Sequence, residues 1–424
     1  MSFRKIRIWI CWGLLSGVSV ADRSMGSVFP QAEAFLNKAA RGESVTVAYL
    51  GGSITHGATV WPLSGTNALG DAYDFSSYNT ELNSWRAQTF DWLRTQYEQT
   101  PGQFRQLNAA IGGTPSLLGA YRLEQDVLSH NPDLVFVEFA VNDSYAAALT
   151  ENNPDAPGSI LRTCRSIVDR LRAQNPNVLV FMPLSTHRVL DGSAHAAWSV
   201  ALDRGHDQMR LAAEMLKVPY VSIKQAFEAL RPEGKDPYYG GTDTDGNYVH
   251  PAPEGHRAYA ETVQNALQAL FQTGRFEFGE TIELVAAYPV APALILPEML
   301  AASAPGWIVE TPVVVEAPIL EGHSCLVTGE NAGELECSFN GTAVGLWMDA
   351  ASKGCMDVYL DGRLLGRYAN KVAAPKKFTG RFSSLAEELT PAQHTLRLVP
   401  VDAADGTEPV MRIRAVVVGA REGG

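Results

Sequence analysis

The sequence predicts an α/β domain built on a parallel sheet, followed by a β-sandwich. Three observations carry this. Between residues 29 and 275, apolar β-rich runs alternate with segments of helical period, the rhythm of βα units with helices on both faces of a sheet. The first run, Val45-Thr-Val-Ala-Tyr-Leu50, is nearly continuous in its apolarity and stops at Gly51-Gly52-Ser53, as a central strand buried on both faces does. From about Trp307 the helical period disappears. Short alternating or apolar runs replace it, with turns such as Asn340-Gly341 and Asp361-Gly362 between them. A chain of 424 residues is also too long for one core.

In chain order, Arg4, Lys5 and Arg7 precede a mostly apolar stretch, Ile8 to Val20, and Ser19-Val20-Ala21 offers small residues for signal-peptidase cleavage. Residues 1–21 are read as a secretory signal peptide, the apolar run being too short to span a membrane; secretion or export to a periplasm follows. Its removal takes three positive charges and no negative ones, so the formal charge goes from −12 to −15. That acidity argues against a nucleic-acid or anionic-membrane partner, and no membrane insertion is expected.

Residues 22–275 form the predicted α/β domain. Helices are expected over Phe29–Ala40, from Trp85, over Leu117–Leu128, Ile160–Ala173, Trp198–Leu216 and Gly255–Phe271. Strands are expected at Val45–Leu50, Arg105–Ala110, Asp133–Ala140, Val178–Met182 and Val218–Val221. Gly57 to Asn83 breaks the rhythm with a long polar connection bearing Trp61, Tyr73, Phe75 and Tyr78. Connections of that length tend to be functional or disordered, and this one leaves from the Ser53 turn, so it is read as one wall of a cleft. Residues 276–306, punctuated by Pro289, Pro292 and Pro297, read as a linker packing on the first domain, and 307–424 as the sandwich. Of the cysteines beyond the signal, Cys325, Cys337 and Cys355 fall together near the end. One disulfide there would leave one thiol over, and no spacing suits a metal.

Four stretches lie where a parallel sheet gathers its loops. Gly51-Gly52 permit a sharp turn and close approach of a ligand, presenting Ser53 at a strand's carboxyl end. On this stretch alone Ser53 could equally be a helix N-cap. Asn108-Ala-Ala-Ile-Gly-Gly113-Thr-Pro-Ser116 follows another strand, and Gly113 can offer its N–H to an anion. Asn142, in Phe139-Ala-Val-Asn-Asp143, can donate an amide to the same place. His250 sits in Asp243-Thr-Asp-Gly-Asn-Tyr-Val-His-Pro251, before the last helix. A serine, a histidine and converging N–H donors are what acyl transfer needs.

These four blocks, in this order, resemble the SGNH, or GDSL-like, hydrolases, in the variant whose first block reads Gly-Gly-Ser-Ile-Thr. The resemblance covers roughly Val45 to Phe271 and implies a flavodoxin-like three-layer domain. It further implies Ser53 as nucleophile, His250 as base, and an oxyanion hole from the Ser53 and Gly113 N–H groups and Asn142. No metal or other cofactor is implied. One position departs: where the family carries aspartate three residues before the histidine, this chain has Asn247. Asn247-Tyr248 reads as a small insertion that displaces the partner to Asp245, with Asp243 or a backbone carbonyl as alternatives. His56, Trp61, His187 and Arg188 are candidates to line the substrate site, and His256 is expected to serve packing.

The resemblance implies an esterase removing acyl, chiefly acetyl, groups from plant or algal poly- or oligosaccharides. A segment from Phe339 to Gly362 also resembles the jelly-roll modules found beside such enzymes. Two alternatives remain open: a lipase or lysophospholipase acting on small acyl esters, and a carbohydrate-binding protein whose esterase site has decayed. The sequence leaves the oligomeric state open.

Overall fold

The computed structural model describes residues 26–58, 64–66, 72–74, 79–145, 159–187, 193–230, 249–285, 287, 293–311, 318–321, 323–329, 331–372, 376–378, 380–402, 406 and 408–419. In the first domain the chain runs α1 (Pro30–Ala40), β1 (Val45–Gly51), α2 (Ser53–His56), α3 (Trp85–Tyr97), β2 (Phe104–Ala110), α4 (Ser116–Asp126), β3 (Leu134–Glu138), α5 (Ile160–Gln174), β4 (Leu179–Leu184), α6 (Ser193–Leu216), β5 (Tyr220–Ser222), α7 (Lys224–Leu230) and α8 (Pro253–Thr273). The five strands form one sheet in the order β2-β1-β3-β4-β5, all neighbours parallel. This is the flavodoxin-like order, whose switch point lies between the first and third strands.

Alternation along β1 explains the three layers. Val45, Val47 and Tyr49 face one side, with α1, α3 and α8. Ala48 and Leu50 face the other, with α4, α5 and α6. A strand that must satisfy two apolar faces cannot alternate polar and apolar residues. The first face is aromatic: Tyr49 stacks on Phe136 at 4.7 Å and Trp85 on Tyr259 at 4.8 Å.

Several local features differ from the sequence reading. The long connection after Ser53 carries regular structure, with Ser64–Thr66 pairing antiparallel to Ala72–Asp74 and a short helix at Thr80–Asn83 capped by Asn79. Helix α7, too short for a periodic signal, went unforeseen. Ser27–Val28 pairs with Arg275–Phe276, tying the two ends of the first domain together.

The second domain is a sandwich of two antiparallel sheets. Its strands are β6 (Ala293–Ile295), β7 (Trp307–Glu310), β8 (Cys325–Thr328), β9 (Leu335–Gly341), β10 (Ala343–Met348), β11 (Gly354–Leu360), β12 (Arg363–Asn370), β13 (Phe382–Ala386), β14 (Ala392–Val401) and β15 (Arg412–Gly419). One sheet runs β7-β8-β15-β10-β13, with β6 also on β15; the other runs β9-β14-β11-β12. Strand β6 lies inside the stretch expected to be linker. Before it, the Gly279 and Glu280 N–H groups donate to Glu214 of α6. The disulfide considered from the cysteine count is absent among the described residues. Cys325, Cys337 and Cys355 are buried thiols on three different strands.

The two domains share a core. Ile111, Leu117, Leu118 and Tyr121 of the first pack with Leu320, Ala343, Trp347, Ala415 and Val417 of the second, and Phe382 leans on the same cluster. Helix α4 therefore buries one face inside its own domain and another against the sandwich, which is why nine of its eleven residues are buried.

Candidate active site

The site lies at the carboxyl edge of the sheet, around the switch point. Ser53 opens α2 immediately after β1. Its Oγ is 2.8 Å from His250 Nε2, although the two residues are 197 positions apart. Burial lowers the His250 pKa to about 4, so at neutral pH the imidazole is uncharged and can accept the serine proton.

The Gly-Gly-Ser-Ile-Thr block has a steric explanation. A Cβ on Gly51 would lie 2.5 Å from Thr55 Oγ1 and 2.7 Å from the Glu138 carbonyl oxygen, where no side chain fits. A Cβ on Gly52 would lie 3.1 Å from Asn142 Nδ2. These glycines thus bring the end of β1 against β3 and against the Asn142 amide. Thr55 is fully buried and donates to Glu138 Oε2 at 2.7 Å, anchoring α2 under the serine. Buried Arg86 adds a second anchor, donating to the Thr55 carbonyl and, through its fork, to Glu81 and Gln106.

The second and third blocks converge on the serine. Gly113 has a φ of +72°, a left-handed conformation that suits glycine. The position a Gly112 Cβ would take is 3.4 Å from Ser53 Cβ. Asp143, buried after Asn142, accepts hydrogen bonds from the Ser116 N–H and hydroxyl and from the Ala140 N–H. It therefore caps α4 and locks the Gly113 loop to the Asn142 loop. Ala140 sits at φ +96°. A non-glycine residue held there costs about 1–3 kcal/mol, a strain typical of functional loops.

His256 does more than the packing expected of it. It is fully buried; its Nδ1 accepts from the Trp85 N–H at 3.2 Å and its Nε2 donates to the Ala58 carbonyl at 3.1 Å. Burial lowers its pKa to about 4, so a neutral ring ties α8 to α3 and to the turn leaving the serine.

Of the residues singled out from sequence, the structure brings together Ser53, His250, Gly113 and Asn142. His56 closes α2, its pKa lowered to about 4 by burial and then by Arg86. His187 is buried at the end of β4 with Nε2 3.8 Å from Asp203 of α6, a contact with a helix rather than with the Ser53–His250 pair. Asp243, Asp245, Asn247, Trp61 and Arg188 lie outside the described residues. Sequence reasoning missed Thr55, Glu138, Asp143 and His256 as the supports of the site. Glu138 alone left a signal, as a carboxylate closing an apolar strand.

A flavodoxin-like sheet presenting a hydrogen-bonded serine and histidine, with a glycine loop and an amide beside them, defines a serine hydrolase domain. Residues 49–258 match the model of the GDSL-like lipase/acylhydrolase family. This domain belongs to that family, and the protein is a carboxylic ester hydrolase. Comparison with curated proteins finds no match. Among solved structures the chain is similar to a two-domain esterase active on acetylated mannans, co-crystallised with mannopentaose. That match has a TM-score of 0.65 at 14% identity and covers 94% of this chain and 97% of the other. The same esterase without mannopentaose matches at 16% identity with the same TM-score. At such identities the likeness is one of fold, and it extends over both domains. An acetyl xylan esterase from Geobacillus stearothermophilus matches 53% of this chain and 95% of its own, at 19% identity and a TM-score of 0.37.

Proposed function

We propose that the protein is a secreted serine esterase that removes acetyl groups from carbohydrate, a plant or algal polysaccharide or its oligosaccharides. The observation that carries the proposal is the 2.8 Å contact between Ser53 Oγ and His250 Nε2 beside the Gly113 and Asn142 loops. In this reading neutral His250 takes the Ser53 proton as Oγ attacks the ester carbonyl. The negative charge that develops on the carbonyl oxygen is met by the Ser53 and Gly113 N–H groups and the Asn142 amide. The tetrahedral intermediate collapses, the sugar hydroxyl leaves with the proton held by His250, and Ser53 keeps the acyl group. Water, deprotonated by the same imidazole, then attacks the acyl-enzyme and releases the acid. Asp245 is assigned the role of orienting His250.

The carbohydrate substrate is supported by the two-domain likeness to an esterase active on acetylated mannans. Secretion is supported by the basic-then-apolar start of the chain and its small residues at 19–21. The test is acetate release from a panel of acetylated mannans, xylans and algal polysaccharides, with Ser53→Ala as control. Release by the wild type and none by the variant is expected. Hydrolysis of long-chain p-nitrophenyl esters in preference to acetate, with no release from any glycan, would make it a lipase instead.

A further inference from the structure

The sandwich domain sets an arginine against the glycine loop that follows β2. Arg381 belongs to the second domain, one residue before β13, yet it lies against the second-block loop of the first. The position a Gly113 Cβ would take is 3.3 Å from Arg381 Cδ and 3.4 Å from Nε. The methylenes and the start of the guanidinium thus fill the space that glycine leaves. Farther along, Arg381 Nη1 is 3.9 Å from the position of a Gly112 Cβ, and Ser53 Cβ is 3.4 Å from that same position. Ser53 and the Arg381 guanidinium therefore both lie within 4 Å of one point beside Gly112. His56 senses the same charge, which contributes to holding its pKa down.

The flanking backbone fixes this placement. The Arg381 carbonyl accepts from the Met348 N–H at 2.7 Å, and the Gly380 carbonyl accepts from the Tyr368 hydroxyl at 2.7 Å. Phe382 pairs with Trp347 in the sheet and sets its ring 6.2 Å from Tyr121 of α4. The helix that follows the glycine loop and the strand that follows Arg381 are thus packed on each other, so loop and arginine keep register.

We propose that Arg381 is a substrate-specificity residue, and that the active site is a composite of both domains. The acyl oxygen already has its donors in the Ser53 and Gly113 N–H groups and Asn142. The guanidinium, with no acceptor capacity and five N–H donors, serves the other half of the ester: the hydroxyl and ring oxygens of the sugar that carries the acyl group. This deepens the carbohydrate reading above and rests on it. An aryl ester such as p-nitrophenyl acetate has no such oxygens beside its reacting bond and gains nothing from the contact.

The test compares kcat/KM on acetylated manno- and xylo-oligosaccharides with kcat/KM on p-nitrophenyl acetate for the full-length wild type, Arg381→Met, Arg381→Ala and Arg381→Lys. Arg381→Met keeps the methylene packing on Gly113 and isolates the charge. A charged hydrogen bond lost at the sugar should lower the oligosaccharide value roughly 10- to 100-fold in the Met and Ala variants. The Lys variant should fall between, and p-nitrophenyl acetate should change less than about threefold. Equal losses on both substrates would place Arg381 in the support of the oxyanion loop and overturn the proposal. Unchanged oligosaccharide hydrolysis in all three variants would overturn it too. A wild type that cleaves p-nitrophenyl acetate but no acetylated glycan refutes the carbohydrate reading itself, an outcome visible before any variant is made.

Discussion

At the scale of the residue, the chemistry rests on donors and acceptors set by a few side chains. In the proposed mechanism Asn142 meets only the charge that appears in the transition state. Asn142→Ala should therefore lower kcat by roughly 100- to 1000-fold while KM changes little; a defect confined to KM would make the amide a ground-state binder. The partner of His250 is tested by isosteric charge removal. Asp245→Asn is expected to cut kcat severely, because the imidazole loses both tautomer control and the charge that stabilises its protonated form. Asp243→Asn should be mild. The reverse ranking in measured turnover would move the role two residues upstream, and indifference at both would leave a dyad oriented by backbone.

At the scale of the element, the serine turn is held by groups that never meet the substrate. Glu138 at the end of β3 is strongly perturbed: burial raises its pKa to about 7 against the ordinary 4.5, despite the hydrogen bond from Thr55. The folded state thus holds a proton that the unfolded chain has released between those two values. The sign follows directly. The stabilising contribution is full below pH 4.5 and is lost as pH rises through 7, a difference on the order of 3 kcal/mol. Glu138→Gln retains an acceptor for Thr55 and has no charge to bury. Relative to this variant, wild-type Tm should fall as pH is raised from 4.5 to 8. Parallel Tm curves would show that the carboxyl is unperturbed. Asp143 is shifted upward for the same reason, and its charge adds a smaller upward push to Glu138.

At the scale of the whole molecule, the apolar cluster between α4 and the sandwich makes the two domains one unit. Trp347 is buried in that cluster and pairs with Phe382. Trp347→Ala should cost about 3–5 kcal/mol and lower Tm for the entire chain. Calorimetry is expected to show a single transition for the wild type, moved down in the variant. Two transitions, of which only the later-denaturing or only the earlier moves, would mean that the domains unfold independently.

Much of the architecture is legible in the residues themselves. The continuous apolarity of Val45–Leu50 follows from burial on both faces, and the helical periods from packing on one, so strands and helices could be assigned in order. Ser53, Gly113, Asn142 and His250 were recognisable because each stands in a short local pattern that a loop after a strand requires. The supports were not. Asp143 reads locally as a turn residue, and its capping of α4 exists only once β3 lies beside the Gly113 loop. His256 reads as a helix-start residue, and both its hydrogen-bond partners come from chain more than a hundred positions earlier. Arg381 sits in a polar turn with nothing nearby to mark it. Its place over Gly113 is decided by the packing of Phe382, Trp347 and Tyr121 across the domain interface, contacts that carry no period and no motif. Local periodicity and turn chemistry are written in neighbouring residues, so the sequence by itself determined the two fold classes and the four blocks that meet at Ser53. Which distant groups share a buried volume depends on how the layers dock, and only the tertiary structure decided that the second domain borders the first domain's serine.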